Sequence, residues 1–399
     1  MVDLIGCTTR EEMIELIAQR ARTAAPDEWI LAHGARPDGW ADPTWPSRQE
    51  LDRACDGRAV VAWCFDYHQL VGSTAALDRA GINAQTTMDG GRVELDYNNE
   101  PTGLLIEHAA LAMWSAVPEP IETRRVEFVR DACLHLESMG FVELHDLKAQ
   151  PWIGGVLSDL HSAGEISIRS VLYPLIKDLR ETIAQSASWK SDAVRLGGGK
   201  IFVDGTFNSR TAWMLEPFAD GHPDHPRGTP MMKIAQIDRM LEICKDHGLP
   251  LAAHAIGDGA VRAMLDAIER TGCAHTGCRI EHAELIDESD IPRFKELGAI
   301  ASLQPCHLLP DIEALNKAVP DRLHRVLPIQ ELIDSGLEPG KDLIFGSDVP
   351  IVRANPEDSI QAAVHRRRAG MDESQAINID QRISEDNAWA CFRADLSAF

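Results

Sequence analysis

Apolar and polar segments alternate regularly along this chain from about residue 122 onward. Short runs rich in β-branched and aliphatic residues predict buried strands, and the stretches between them have the periodicity of amphipathic helices. Most predicted strands are followed by a predicted helix, which is typical of parallel β/α units. Seven strands are predicted, at residues 141–147, 166–172, 196–203, 250–254, 279–282, 299–304 and 343–347.

The first 121 residues have a less regular pattern. A helix is predicted at 8–22 and strands at 29–33 and 59–67, and the rest is rich in turn-forming residues. We interpret residues 1–121 as an irregular α+β insertion region and residues 122–399 as the regular β/α units of one domain. Seven strands are one short of a closed barrel, so the sequence predicts a distorted TIM (β/α)₈ barrel whose first strand is missing or replaced.

Four of the predicted strands carry a residue suited to a metal site at or near their carboxyl ends. These residues are Lys200, His254, His282 and Asp348. Barrels of this class build their active sites from the carboxyl ends of several parallel strands, so we expect the four to converge. One such histidine alone is more typical of a hydrogen-bonded rim residue. Four on separate strands favour a divalent metal, such as zinc, that activates water.

Lys200 is open to two interpretations. An ammonium group is not a metal ligand, and a buried lysine usually pairs with a carboxylate. A lysine whose pKa is lowered by burial can instead react with CO₂, and the resulting carbamate could bind metal. Asp348 likewise could bind the metal or take a proton from the attacking water.

Several neighbouring residues are assigned by strand geometry. Glu281 precedes His282, and because side chains alternate across a strand it should point toward the helix layer. Asp66 and His68 share one strand face and could either reach the site or lie at the rim. Cys306 lies next to His307 and is interpreted as a buried structural thiol.

Composition narrows the class of protein further. The apolar fraction is 44% and the charged fraction 25%, as in ordinary globular proteins. The net charge of −23 disfavours nucleic acid and anionic membranes as partners. Nine scattered cysteines, with neither a signal peptide nor a long apolar span, predict a reduced, cytoplasmic protein. We therefore expect a small-molecule substrate, and a homo-oligomer is compatible with the sequence.

Two other enzyme classes are disfavoured because their motifs are absent. The chain has no Gly-x-Ser-x-Gly nucleophile elbow and no Gly-x-Gly-x-x-Gly turn after a strand.

Five motifs together resemble the amidohydrolase superfamily, and within it the amidohydrolase-3 branch that includes N-substituted formamide deformylase-like proteins. They are Lys-Ile-Phe-Val-Asp-Gly-Thr-Phe-Asn-Ser-Arg-Thr-Ala (200–212), His-Ala-Ile-Gly-Asp (254–258), Arg-Ile-Glu-His-Ala (279–283), Ser-Leu-Gln-Pro-Cys-His (302–307) and Gly-Ser-Asp-Val-Pro (346–350). The resemblance implies a distorted barrel holding one or two divalent metals, often zinc. It also implies hydrolysis, commonly of a non-peptide, amide-type C–N bond.

The resemblance also implies roles for single residues. Lys200 would be the carboxylated bridging ligand, and His254 and His282 would hold one metal. Asp348 would bind the other metal or act as general acid/base. His307 and Arg210 would be catalytic candidates on the substrate side.

The chain departs from the family pattern at one point. Its relatives open the first barrel strand with a His-x-His pair, and this chain contains none. The first residues of the chain resemble the stretch that follows this strand in relatives. The last residues correspond to the point at which relatives continue into a small β-sandwich. One or two metals are compatible with the sequence; if the chain is complete, a single metal held by His254, His282 and modified Lys200 is favoured. The alternatives are a catalytically impaired barrel that binds a ligand without turnover, and a chain whose true start lies upstream.

Overall fold

The computed structural model describes residues 1–393 as a mixed α/β fold. The strands in this range are β1 (Val2–Asp3), β2 (Ile30–Ala35), β3 (Val60–Cys64), β4 (Gln69–Gly72), β5 (Gly91–Leu95), β6 (Pro101–Glu107), β7 (Glu143–Ala149), β8 (Arg169–Pro174), β9 (Val194–Leu196), β10 (Gly199–Phe202), β11 (Leu251–Ala255), β12 (Arg279–His282), β13 (Ile300–Leu303) and β14 (Leu343–Phe345).

The α-helices of the same range lie mostly between these strands. They are α1 (Arg10–Thr23), α2 (Arg48–Ala54), α3 (Thr74–Ala80), α4 (His108–Trp114), α5 (Glu122–Ser138), α6 (Ile153–Ser162), α7 (Ile176–Ser186), α8 (Ile234–Asp246), α9 (Asp258–Thr271), α10 (Ile291–Leu297), α11 (Leu308–Ala318), α12 (Ile329–Asp334), α13 (Pro356–His365) and α14 (Glu385–Phe392).

The N-terminal region forms a six-stranded sheet in the order β1-β2-β3-β4-β6-β5. The predicted helix and both predicted strands of this region are present, and Thr9 caps α1 by accepting a hydrogen bond from the Glu12 amide. The strands β1, β2 and β3 are parallel, with α1 and α2 as crossovers, so this region is more regular than its sequence pattern suggests. The antiparallel strands β4, β5 and β6 are interrupted by α3 and by loops rich in turn-forming residues, which hides their periodicity.

The second half contains two parallel sheets, β7-β8-β9 and β10-β11-β12-β13-β14, linked by a bridge between Leu175 and Lys200. Each of the seven predicted strands overlaps an observed one. The strand predicted at 196–203 is divided into β9 and β10 by two glycines. A Cβ atom at Gly197 would lie 2.5 Å from the Tyr173 ring, so only glycine allows this close approach. Closure into a complete (β/α)₈ barrel, and the loss of its first strand, stay predictions.

The two faces of the five-stranded sheet differ in polarity. One face contributes apolar side chains to the largest hydrophobic core, where they pack against the helices. On the other face, residues that are opposite each other in register form a largely polar row: Phe202, His254, Glu281 and Ser302. This row lies near the carboxyl ends of the strands, where the polar side chains of the candidate site also lie.

A fully buried arginine links the C-terminal elements. Arg366 caps α13 in the left-handed conformation, with φ 58°. Its Nε donates to the Ile377 carbonyl at 3.0 Å, and its Nη2 donates to the Val326 carbonyl at 2.7 Å. Burial lowers the pKa of this guanidinium to about 9.

Within residues 1–393, the helices are too short or too polar to cross a lipid bilayer.

Candidate metal centre

Four polar side chains meet at the carboxyl ends of neighbouring parallel strands. His254 lies on β11 and His282 ends β12, while His307 closes a short 3₁₀ turn after β13 and Asp348 follows β14. The ring centroids of His254 and His282 are 4.6 Å apart, and those of His282 and His307 are 5.5 Å apart. His307 Nε2 lies 3.6 Å from Asp348 Oδ2. The convergence predicted for His254, His282 and Asp348 is thus present in the structure.

Three of these residues form a compact donor set. His282, His307 and Asp348 each offer a ligand atom, and these atoms lie within 4.8 Å of one another. The buried His282 Nδ1 and His307 Nε2 have no hydrogen-bond partner among the described residues. Buried polar atoms without partners are rare and call for an explanation. Two imidazole nitrogens and a carboxylate oxygen suit zinc and similar divalent ions, so the residues present fit such a metal.

Hydrogen bonds orient two of the histidines for metal binding. His254 Nε2 donates to the Gly205 carbonyl at 3.2 Å, which leaves its Nδ1 lone pair free. His307 Nδ1 lies 3.1 Å from Glu284 Oε1 and donates to it, so Nε2 faces Asp348. Such partners fix the tautomer of metal-binding histidines in general.

The pKa values of the histidines differ with their surroundings. Burial, together with neighbouring positive groups, holds the pKa of His254 and of His282 well below the ordinary value. Both rings are therefore neutral, which is the form that binds metal. Burial also acts to lower the pKa of His307, but the hydrogen bond and charge of Glu284, with the charge of Asp348, raise it to about 9.

Unusual backbone angles bring two donors into the site. Strand alternation would turn His282 away from the interior, but its φ is 73° and that of Ala283 is 42°, and this twist redirects the ring. The prediction that Glu281 points toward the helix layer is wrong. Glu281 lies in the interior row, where its carboxylate is 2.8 Å from Arg279 Nε. Asp348 also has a positive φ, of 56°.

Lys200 lies in the same interior and is 97% buried by relative exposure. Its Nζ is 4.8 Å from the centroid of the Phe202 ring, and no carboxylate of the described residues lies within 4.0 Å of it. Burial lowers the pKa of Lys200 to about 8, although the charges of Glu281 and Asp348 oppose the shift. The simple salt bridge considered for this lysine is therefore not formed here.

The N-terminal sheet supplies two further residues to the site. The His68 ring centroid lies 5.0 Å from that of His254, and His68 Nδ1 is 2.9 Å from Glu107 Oε2. His68 therefore reaches the site, and Asp66 instead accepts hydrogen bonds from Thr206 and Ser209 in the loop after β10. Sequence reasoning missed Glu107. It ends the run Gly-Leu-Leu-Ile-Glu (103–107), which carries the same strand-end signal as the other site residues.

Glu107 is held under strain beside the site. It is buried and has φ 53° and ψ −123°, a conformation that non-glycine residues rarely adopt. Its Oε1 has no hydrogen-bond partner among the described residues. A Cβ atom at Gly205 would lie only 1.9 Å from Oε1, so glycine at 205 is required for the approach of this carboxylate.

Arg210 does not join the cluster, contrary to the expectation of a substrate-side arginine. Its guanidinium pairs with Asp220 at 2.7 Å and with Asp38 at 3.1 Å, and it also donates to the carbonyls of Phe207 and Asn208. Through these contacts the Arg210 guanidinium stabilises the loop after β10. The invariant charge and many donors of arginine suit that structural role as well as substrate binding.

Comparison with known proteins identifies the family. The family model described as "Amidohydrolase family" matches residues 1–395. The chain belongs to the amidohydrolase family. It is 26% identical over 386 residues to YtcJ of Bacillus subtilis (strain 168), which is named as an amidohydrolase; the match covers 92% of this chain and 69% of YtcJ.

Two further relatives extend the comparison of this amidohydrolase. N-substituted formamide deformylase of Arthrobacter pascens is 24% identical, with 96% of this chain and 74% of that protein covered. An uncharacterised metal-dependent hydrolase of Pyrococcus horikoshii OT3 superposes with a TM-score of 0.73 at 25% identity, covering 98% of this chain and 76% of that one. These matches support a TIM-barrel-like α/β fold, and the chain spans about 69% to 76% of the length of these relatives.

Proposed function

We propose that this chain is a metal-dependent hydrolase acting on a non-peptide, amide-type C–N bond. The observation that carries the proposal is the donor set of His282, His307 and Asp348, in which two buried nitrogens lack partners. Family membership supports hydrolysis, and the deformylase of Arthrobacter pascens supports an N-substituted amide as the substrate class. Zinc is the proposed ion because histidine and carboxylate donors suit it.

In this proposal His282, His307 and an Asp348 oxygen would hold the ion, and His307, whose pKa is raised to about 9, would release its Nε2 proton when the ion binds. When bound, a divalent ion of this kind activates water and polarises a carbonyl group. The second oxygen of Asp348 accepts the proton of the attacking water and returns it to the leaving amine. The Asp348 side chain is 37% exposed, so water and substrate can reach it. Glu284 holds His307 in the required tautomer, and the Gly205 carbonyl does the same for His254.

Lys200 has its own place in the proposal. A buried lysine with a lowered pKa and no carboxylate partner is suited to react with CO₂. The carbamate would add a carboxylate to the donor set beside His254. Intact-protein mass spectrometry under mild conditions should detect one added CO₂ that is lost on acidification. A Lys200→Arg variant should lack this addition.

Metal analysis and turnover together test the proposed function. Purified protein should contain near-stoichiometric zinc or a similar ion and should hydrolyse N-substituted formamides or related amides. His282→Ala should lose the ion and more than about 100-fold of the activity, because even loss of an outer partner of a metal ligand costs 10- to 100-fold. His324→Ala, at an exposed histidine, is the control and should change neither.

Two outcomes would contradict the proposal. Full activity in His282→Ala would remove this residue from the site. A folded protein that binds metal but turns over no amide or ester would favour the alternative, a barrel that binds a ligand without catalysis.

A further inference from the structure

A cleft separate from the metal centre lies between the N-terminal region and α11. Its volume is about 340 Å³, within the range of roughly 300–1,000 Å³ that is usual for small-molecule sites. One side is formed by the segment after β2 and the end of β3, and the other by α11 and the loop after β10. Lining residues that matter below are Arg36, Trp45, Phe65, Gln69, Pro310 and Arg368.

The cleft is lined by hydrogen-bond donors that lack acceptors. The Arg36 side chain makes no ion pair or hydrogen bond with the described residues, and its guanidinium lies 4.4 Å above the Phe65 ring. The Nε atoms of Arg36 and Arg368 are both buried without a partner among those residues. Gln69 Nε2 has only the weak acceptor Cys64 Sγ, at 3.7 Å. Unpaired donors of this kind are costly, and they point to an acceptor that the chain itself does not provide.

The acidic groups near the cleft are engaged elsewhere: Asp311, the carboxylate whose charge acts most strongly on Arg36, accepts a hydrogen bond from Asn208, and Asp66 accepts from Thr206 and Ser209. Asp38 pairs with Arg210 at 3.1 Å, and Glu313 pairs with the outer nitrogen of Arg368. The charge of Arg36 is thus left without a counter-ion at hydrogen-bonding distance, in a chain whose net charge is −23. An unpaired arginine in so acidic a protein, facing a cavity, favours an anionic ligand.

We propose that this cleft binds a small organic carboxylate with an apolar body. The carboxylate would accept two hydrogen bonds from Arg36, the geometry that a guanidinium fork favours. The Gln69 amide and Arg368 Nε would complete the donor set. Trp45 and Pro310 provide apolar surface for the body of the ligand, which distinguishes this class from a free inorganic anion.

The cleft shares its walls with the metal centre. In the segment of residues 64–69, Cys64, Phe65 and Gln69 line the cleft, whereas His68 reaches the metal centre and Asp66 accepts a hydrogen bond from Thr206 in the loop after β10. On the opposite wall, α11 begins directly after His307. A carboxylate in the cleft therefore contacts elements that carry site residues without occupying the site. It is either the acid end of a substrate or a separate effector, and this part rests on the proposed function.

Calorimetric titration of the full chain tests binding without any need for turnover. The probe is 3-phenylpropionate, and the amine of matched shape, 3-phenylpropylamine, is the comparison. The carboxylate should bind saturably and the amine should not. Arg36→Gln should weaken binding at least about tenfold, Arg36→Lys should fall between, and Arg180→Gln, at an exposed arginine, should match the unaltered protein.

The outcomes separate this inference from the proposed hydrolase function. Equal binding by the unaltered chain and by a folded Arg36→Gln variant, or no saturable binding at all, overturns the inference. If the variant fails to fold, the same decision is made with Arg36→Lys and Arg368→Gln. Binding of the carboxylate without amide turnover would support the carboxylate site in the cleft and contradict the proposed hydrolase function. If both hold, competitive inhibition by 3-phenylpropionate identifies the substrate's acid end, and non-competitive inhibition identifies an effector.

Discussion

Backbone strain at a few non-glycine residues aims the polar groups of the metal centre. Twelve non-glycine residues among the described ones have a positive φ, and three of them, His282, Asp348 and Glu107, belong to the site or contact it. Each such conformation costs on the order of 1–3 kcal/mol and persists only where the surroundings enforce it. At these three residues the backbone conformation directs a polar side chain toward the proposed metal centre.

Gly205 is a position at which adding a single methyl group should strongly reduce the stability of the fold. In Gly205→Ala the new Cβ would meet Glu107 Oε1 at 1.9 Å and Thr211 Oγ1 at 2.0 Å. The free energy of unfolding should fall by about 1–3 kcal/mol, as for other overpacked sites. Gly155→Ala is the control, since its Cβ would meet nothing within 4 Å. Urea denaturation compares the two, and equal stability would argue against the tight approach.

Glu107 should influence activity through His68 without holding metal itself. Glu107→Gln keeps the size of the side chain but removes the charge that holds His68 Nδ1 at 2.9 Å. Turnover should drop by about 10- to 100-fold, the range for partners of site histidines. Elemental analysis should find the metal content unchanged. A loss of metal in this variant, with His68 intact, would instead make Glu107 part of the metal-binding set.

At the level of single residues, the sequence predicted position better than orientation. The strand-end signal located His254, His282 and Asp348 because the carboxyl ends of parallel strands meet at one edge. It could not foresee the φ of 73° that redirects His282 and leaves Glu281 in the interior. Arg210 was misjudged because its acidic partners Asp38 and Asp220 are distant from it in the sequence or hidden in loops.

Among the elements, α11 connects the metal centre to the cleft and was not predicted. The proline in the fragment Leu-Leu-Pro-Asp (308–311) suggests an interruption of helical structure. A proline in the first turn of a helix costs little, however, because the amide hydrogen that it lacks would have no helical partner there. The strongly periodic helices of the second half, such as α9, lie where the amphipathic pattern between the predicted strands indicates helices. Short strands, and helices with a proline in the first turn, have too little periodicity to be predicted in this way.

The C-terminal elements should depend on Arg366. Arg366→Lys removes the guanidinium fork, so the buried Ile377 carbonyl loses its side-chain donor and the Val326 carbonyl keeps only Asn378 Nδ2, at 3.0 Å. Loss of hydrogen bonds from a charged group predicts a decrease of about 1.5–3 kcal/mol in the free energy of unfolding. Arg367→Lys, at the neighbouring and more exposed position, should change it by under about 0.5 kcal/mol. Chemical denaturation curves of both variants would decide, and equal midpoints would contradict the role of Arg366.

For the whole molecule, burial governs the chemistry of the cysteines. All nine are free and buried, and burial raises the pKa of several thiols, including those of Cys306 and Cys391 to about 12. Native protein should therefore react slowly with a thiol reagent such as Ellman's reagent, and unfolding in urea should release nine fast-reacting thiols. Fast labelling of several thiols in the native state would show that the cores open more readily than their packing indicates.

The reach of His68 to His254 also has a consequence for synthesis. The site draws on His68 next to the N-terminal sheet and on residues as late as Asp348, so its residues span 280 positions of the polypeptide, from 68 to 348. At about 5–20 residues per second, a ribosome needs roughly a quarter of a minute to a minute to cover that distance. The donor set of His282, His307 and Asp348 is incomplete until residue 348 has been synthesised, so capture of the proposed metal must wait for that residue.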